Sequence, residues 1–307
     1  MKVLVTGASG MLGSAVSKFA SQNGHQVLTP SHRELDLEHE VTTFGYLKLH
    51  RPDAIFHCAA KVGGISANIA NPFDFLTKNV RIDTALLGAA KKLEIENLVY
   101  MGSSCMYPKN LPHAMTESEI LSGPLEPTNE GYALAKLVGW KTVQFVAKSL
   151  KWRSFILSNL YGPNDHFEQG RSHLLAAIIQ KVYAARDKKF ESVDMWGDGS
   201  AKREFTFVDD VALFLVQSIE RMGDFPDTLN LGAGIDYSVL EYYKFVSQSM
   251  NYDGAIVADL SKPAGMQRKL MNISQATDFG WNPKTSIESG IQKTVTWYEE
   301  NIQRGHI

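Results

Sequence analysis

Lys2-Val3-Leu4-Val5-Thr6-Gly7-Ala8-Ser9-Gly10-Met11-Leu12-Gly13 is the stretch that decides the fold. Its apolar run Lys2–Thr6 reads as a buried strand, and residues 11–23 read as a helix. Between them, Gly7, Gly10 and Gly13 let the backbone turn tightly and approach a pyrophosphate, whose charge meets the helix N-terminus. Glycine patterns of this kind arise by chance in many loops. Here the pattern stands at the first strand-to-helix junction, which is the setting a dinucleotide site requires. Gly7, Ser9, Gly10, Met11, Leu12 and Gly13 are therefore expected against a cofactor's phosphates.

Outward from this turn, short apolar runs alternate with longer amphipathic ones. Residues 26–29, 54–57, 98–101 and 154–158 read as strands, and 72–93 and 130–150 as helices. Such alternation implies right-handed crossovers and a parallel sheet covered on both faces. The expected fold is α/β: a Rossmann-type doubly wound parallel sheet with a smaller C-terminal α/β lobe. Residues 1–165 are expected to form an NADP-binding domain and 166–307 mainly a substrate-binding lobe, with segments near 205–235 returning to the first. A helix is expected over 173–186 and short strands over 195–207.

Lys and Arg number 31 against 33 Asp and Glu, so the chain lacks the cationic excess of a general nucleic-acid binder. Of its 307 residues 44% are hydrophobic, yet no apolar run approaches a membrane span, and the first is cut by Gly7 and Gly10 where a signal segment would continue. The only cysteines, Cys58 and Cys105, suggest no disulfide framework and a reducing, cytoplasmic setting. No metal site is expected.

The loop after the second strand reads Thr29-Pro30-Ser31-His32-Arg33, with no acid before Glu34. An NAD site usually places a carboxylate there for the ribose hydroxyls. Ser31, His32 and Arg33 suit a 2′-phosphate and favour NADPH; the alternative is a solvated loop.

Tyr132-Ala133-Leu134-Ala135-Lys136 puts a phenol and an ammonium on one helix face. A neighbouring ammonium stabilises a phenolate, so such a tyrosine can pass a proton to a carbonyl oxygen while hydride arrives from a nicotinamide. Taken alone, this spacing is common on amphipathic helices. Its companions decide: Gly102-Ser103-Ser104-Cys105-Met106-Tyr107-Pro108 ends the fourth strand, where open α/β sheets place their chemistry. With the glycine turn, Ser103, Tyr132 and Lys136 resemble the catalytic set of the extended short-chain dehydrogenase/reductases, and Asn79 matches that family's helix asparagine.

Longer segments resemble the GDP-L-fucose synthase branch of that family: Ala59-Ala60-Lys61-Val62-Gly63-Gly64-Ile65, the Gly102–Pro108 run, Leu125-Glu126-Pro127-Thr128-Asn129-Glu130, Asn159-Leu160-Tyr161-Gly162-Pro163, Ser172-His173, Arg203-Glu204-Phe205, Lys262-Pro263 and Arg268-Lys269-Leu270. The resemblance implies a GDP-linked keto sugar as substrate and a homodimer joined by long helices. It gives Cys105 the role of epimerisation base and His173 that of acid; alone, such a cysteine is usually a small buried hydrophobe and such a histidine a cap or surface group. It adds Asp36, Ala59, Ala60, Asn79, Asn159 and Leu160 to the cofactor site, and assigns Lys181, Trp196, Arg203, Arg268 and Lys269 to the nucleotide sugar. The implied activity is NADPH-dependent conversion of a GDP-4-keto-6-deoxy-mannose-type sugar to GDP-L-fucose by C3/C5 epimerisation and C4 reduction. A C4 reductase of a related GDP-4-keto sugar, such as a 6-deoxy-heptose, is the alternative. Lys181 stands where the branch more often has Arg, and Ala264-Gly265-Met266-Gln267 departs from its usual loop.

Overall fold

A computed structural model describes residues 1–168, 172–261 and 266–305. Lys262-Pro263 and Ala264-Gly265 lie outside the described residues. In chain order the first half runs β1 (Lys2–Thr6), α1 (Met11–Gln22), β2 (Gln26–Leu28), α2 (Glu40–His50), β3 (Ala54–His57), α3 (Ile65–Ala70), α4 (Pro72–Lys92), β4 (Asn97–Ser103), α5 (Glu130–Val146) and β5 (Lys151–Leu157). The second half runs β6 (Asn159–Tyr161), α6 (Leu174–Asp187), β7 (Ser192–Trp196), β8 (Lys202–Arg203), β9 (Phe205–Phe207), α7 (Val208–Ser218), β10 (Thr228–Leu231), β11 (Tyr237–Ser238), α8 (Val239–Ser249), β12 (Ala255–Asp259), β13 (Arg268–Lys269), α9 (Ser274–Asp278) and α10 (Ile287–Gln303).

Six of the strands form one parallel sheet in the order β10-β5-β4-β3-β1-β2. The chain moves one way from β1 to β2 and the other way from β1 to β3, so a crevice opens at the carboxyl ends of β1 and β3. Val3, Leu4, Val5, Ile55, Phe56, Leu98 and Val99 are fully buried, as strands covered on both faces must be. One core packs α1 and α7 on Val3, Val5 and Phe155; a second packs α4 and α5 on Leu4, Ile55 and Leu98. The remaining strands form small sheets, β11-β8-β13, β12-β7 and β6-β9, around a third core rich in aromatic side chains, among them Tyr161, Phe205, Tyr242 and Tyr298.

Some elements differ from the sequence expectation. The α2 helix was not anticipated: Gly45, a poor helix former, lies within it, Val41 and Leu49 face solvent, and only Thr43 and Leu47 are buried, so it has no apolar stripe to read. The 130–150 helix stops at Val146, and the 173–186 helix begins at Leu174, with His173 as its N-cap residue.

Candidate active site

The glycine turn leaves no room for side chains at two of its three glycines. Gly7 has φ 66°, a left-handed conformation that side chains disfavour, and a Cβ there would lie 2.8 Å from the Ala59 backbone. A Cβ on Gly13 would run into the Gly7 carbonyl, so helix and turn touch directly. The first turn of α1 carries no acidic residue, and no side chain caps its N-cap residue Gly10. Its N–H groups therefore face the crevice with the positive end of the helix dipole. Ser9 is exposed at the tip, and Met11 and Leu12 are partly buried behind it.

Across the crevice, the Ala59 N–H donates to Thr6 Oγ1 (3.1 Å). Asn79, fully buried on α4, clamps Lys61, two residues on: its Oδ1 accepts from Lys61 N–H (2.7 Å), and its Nδ2 donates to Lys61 C=O (3.0 Å) and Phe75 C=O (2.7 Å). Asn79 thus shapes the loop holding Ala59 and Ala60. Asn159 Nδ2 donates to Glu204 C=O (3.0 Å), tying β6 to the strand beside it, while Leu160 packs on the first core.

After β2, Ser31, His32 and Arg33 are all exposed. The Ser31 N–H and hydroxyl both donate to Glu34 Oε2 (2.8 Å each), which lowers the Glu34 carboxyl. That acid is turned back onto Ser31, leaving His32 and Arg33 at the surface for an anion. Asp36 lies 3.7 Å from His32 and 3.4 Å from His39.

The chemistry gathers at the end of β4. The Ser103 hydroxyl accepts from the Cys105 N–H (3.2 Å), capping a short turn over Ser104–Met106 that aims the thiol back at α5. Cys105 Sγ accepts from Asn129 Nδ2 (3.1 Å) and from Lys269 Nζ (3.4 Å). Burial pushes the Tyr132 phenol above its usual range; the charges of Cys105 and Asp83 push the same way, and a hydrogen bond with Ser103 opposes them. Burial pulls His173 below its usual value, and the nearby charges of His166 and Lys269 add to that. Ser103, Cys105, Tyr132, His173 and Lys269 therefore share one small space.

Three features were not foreseen. The Lys136 ammonium lies 4.8 Å from the Tyr100 ring centroid, and its charge lowers Asp83 and Cys58 against their burial. It faces a buried carboxylate as well as the phenol's side of the helix. Cys58, pushed up to about 12 by burial, is an inert thiol, unlike Cys105 with its two donors. Lys269, expected on the diphosphate, instead reaches the thiol; its strand β13 pairs with β8, and the chain just after it bridges from Met271 to Met115. Sequence reasoning also passed over Asn129, whose Oδ1 is buried without a partner; its place in the 125–130 segment was the available signal.

The other sugar-side residues stand apart. Arg268 donates from Nε to Asp236 Oδ2 (2.6 Å) and from Nη2 to Asp236 Oδ1 (3.3 Å). Lys181 Nζ donates to Asp194 C=O (2.9 Å) and lies 5.5 Å from the ring centroid of Trp196, which is 49% exposed. Arg203 is held down by burial while the Glu126 and Tyr242 charges favour its cation, and it pairs in register with Lys269.

This arrangement, a helix N-terminus at a sheet switch point with Ser103 at a strand end and Tyr132 and Lys136 on the flanking helix α5, finds its match in a known family. The profile of the NAD dependent epimerase/dehydratase family covers residues 3–232. The chain belongs to that family. It is 42% identical to a GDP-L-colitose synthase of Yersinia pseudotuberculosis, over 97% of this chain and 98% of the relative. It is 41% identical to a GDP-L-fucose synthase of Azorhizobium caulinodans, over 97% and 96%. Among solved structures, a GDP-6-OMe-4-keto-L-xylo-heptose reductase from C. jejuni superposes with a TM-score of 0.90 at 25% identity, covering 98% of each chain. Among the described residues, no helix is long and apolar enough to cross a membrane, and no His, Cys, Asp or Glu group is gathered as a metal site.

Proposed function

We propose that the protein is an NADPH-dependent epimerase/reductase that converts a GDP-4-keto-6-deoxy-mannose-type sugar to GDP-L-fucose. One observation carries this reading: the Cys105 thiol, faced by the Asn129 amide and the Lys269 ammonium, is close enough to the Tyr132 phenol for its charge to act there. A base for protons α to a ketone thus stands beside an acid for the ketone oxygen.

In this reading Cys105 acts as the thiolate, its charge held by the Asn129 and Lys269 donors, and on taking a proton from C3 or C5 it becomes a neutral thiol. The adjacent ketone makes such protons removable, since the carbanion is stabilised as an enolate. His173 returns a proton from the opposite face. Burial, with the nearby charges of His166 and Lys269, holds the imidazole below its usual value, so as the acid of this step it must gain its proton within the turnover. Ser103 and Tyr132 then hold the C4 oxygen, and Tyr132 supplies its proton. NADPH, when bound, supplies the hydride to C4. Gly7 to Gly13 would hold its pyrophosphate, and His32 and Arg33 its 2′-phosphate, with Ser31 joining them only by giving up its hydroxyl bond to Glu34. Lys181, Trp196, Arg203 and Arg268 receive the GDP, Trp by stacking and the cations at the diphosphate.

Residues 1–165 form the cofactor domain in this reading, with β10 rejoining its sheet, and 166–307 mainly the sugar lobe. Leu134, Val138 and Phe145 line one exposed face of α5, next to Ile69 and Phe73 from α3 and α4, and this apolar face seats a second copy. A solution mass of two chains by light scattering is the expected result. The free thiols suit a reducing cytoplasm.

A second reading, a C4 reductase that leaves C3 and C5 untouched, is favoured by the low proton affinity of His173 and the likeness to a heptose reductase. A panel of GDP-4-keto sugars assayed for NADPH oxidation tests the function. Substrate incubated in heavy water without NADPH separates the readings: deuterium at C3 and C5 supports the epimerase, and none supports the plain reductase. No oxidation with any GDP-keto sugar refutes both.

A further inference from the structure

Glu204 separates two short strands that join different sheets, β8 beside β13 and β9 beside β6. The residue is 1% exposed and contacts neither substrate nor cofactor in the reading above. Its two carboxylate oxygens hold two separate lengths of chain. Oε1 accepts from the Gly234 N–H (2.7 Å), and Oε2 accepts from the Met271 N–H (2.9 Å). Its own carbonyl accepts from Asn159 Nδ2 on β6 (3.0 Å). Met271 lies two residues after Lys269, whose ammonium donates to Cys105 Sγ (3.4 Å). Gly234 lies two residues before Asp236, the partner of Arg268 on the same strand as Lys269. One buried acid thus ties the limb that bears Lys269 to the loop that faces it.

We propose that Glu204 is a positioning residue that sets the Lys269 ammonium against the Cys105 thiol. Its effect on turnover rests on the reading of Cys105 as the epimerisation base. Burial pushes the Glu204 carboxyl up to about 7 although the N–H groups of Gly234, Met271 and Ala233 oppose it, so an acid is costly at this place. Both of its oxygens are used. A glutamine there keeps one acceptor for two N–H donors, so each length of chain is held for only part of the time. Gly232 leaves the acid its space: a Cβ on that residue would run into Glu204 Oε1. Two further bonds hold the limb from its other side, Met115 N–H to Leu270 C=O (2.9 Å) and Asn272 N–H to Met115 C=O (2.8 Å). Weakening the Glu204 bond therefore loosens Lys269 without freeing it, and the expected effects are partial.

The experiment reads the thiol and the epimerisation separately, in wild type, Glu204→Gln, Gly232→Ala, Lys269→Met and the double variant Glu204→Gln/Lys269→Met. A cation beside a thiol favours the thiolate, which is the form that iodoacetamide alkylates. At about pH 7.5, alkylation of Cys105, followed by the mass of its peptide, slows by about fivefold in Glu204→Gln and by more in Lys269→Met. Deuterium exchange at substrate C3 and C5 falls by about tenfold in Glu204→Gln, and reduction of a keto sugar already in the product configuration falls by less. With Lys269→Met in place, Glu204→Gln lowers either readout by no more than about twofold, because one residue acts through the other. Gly232→Ala crowds the carboxylate without removing it. It moves both readouts the same way by less, and it carries the test where Glu204→Gln does not fold. Alkylation unchanged in Glu204→Gln and Gly232→Ala, or in Lys269→Met, overturns the proposal. So do equal losses of exchange and reduction, and so do losses that multiply in the double variant. Wild type without exchange, together with slowed alkylation in Glu204→Gln, overturns the epimerase reading and supports the positioning of Lys269.

Discussion

On the cofactor side, the glycine turn, Ser103, Tyr132 and Lys136 sit at the ends of one parallel sheet and on its flanking helix, and the polar groups behind them are buried and bonded to one another. On the sugar side, Arg268 and Lys181 stand on a short strand and a helix flanking small sheets, each already against an aspartate, Asp194 open to water and Asp236 largely buried under a half-exposed guanidinium. The first region is organised during folding, so a ligand arriving there meets groups in place. In the second, a diphosphate must displace a carboxylate or share the cation with it. Reaction type is thereby tied to the rigid half, and choice of sugar to the half whose contacts are easiest to exchange.

The largest expected effect tests the rigid half. Tyr132→Phe removes the proposed proton donor and leaves the ring; NADPH oxidation at saturating GDP-keto sugar falls by about 10³-fold with little change in KM. An unchanged rate would make the ordered half a mere scaffold and end the contrast. Next, Cys105→Ala sharpens the boundary between the halves, because the thiol belongs to the turn after β4 yet is faced by Lys269 from β13. Deuterium exchange at C3 and C5 falls by about 10²-fold or more. Reduction of a keto sugar that already has the product configuration at both centres changes only several-fold, read by NADPH oxidation. Equal losses in the two assays would mean that the thiol serves hydride transfer rather than epimerisation.

The same contrast explains what the sequence made legible. Strands β1 and β3 were readable because both faces are buried, giving continuous apolar runs, and the glycine turn because close approach at Gly7 and Gly13 admits no side chain. Ser103, Tyr132 and Lys136 were readable through fixed local spacing. Helix α2 was not, since only Thr43 and Leu47 among its residues are buried. Partners distant in sequence also stayed hidden: Asp83 joins His57 across 26 positions and Lys269 meets Cys105 across 164, and neither separation leaves a periodic trace. Arg268 was read as a diphosphate ligand, but its carboxylate partner is 32 positions away and could not be seen.

The smallest effect bears on that carboxylate. The Asp236 side chain is 7% exposed and the Arg268 side chain 46%, so the pair is partly screened and worth at most about 1 kcal/mol. If a diphosphate must first win Arg268 from Asp236, then Asp236→Asn frees the guanidinium while keeping its neighbour's shape. KM for the GDP-keto sugar then falls by about threefold, a change of roughly 0.6 kcal/mol, while kcat and the KM for NADPH hold. The opposite result is equally informative. A KM that rises in Asp236→Asn would mean the carboxylate aims the guanidinium rather than competing for it, so the sugar side would be organised before its ligand arrives, and the difference between the two halves would lie in exposure rather than in construction.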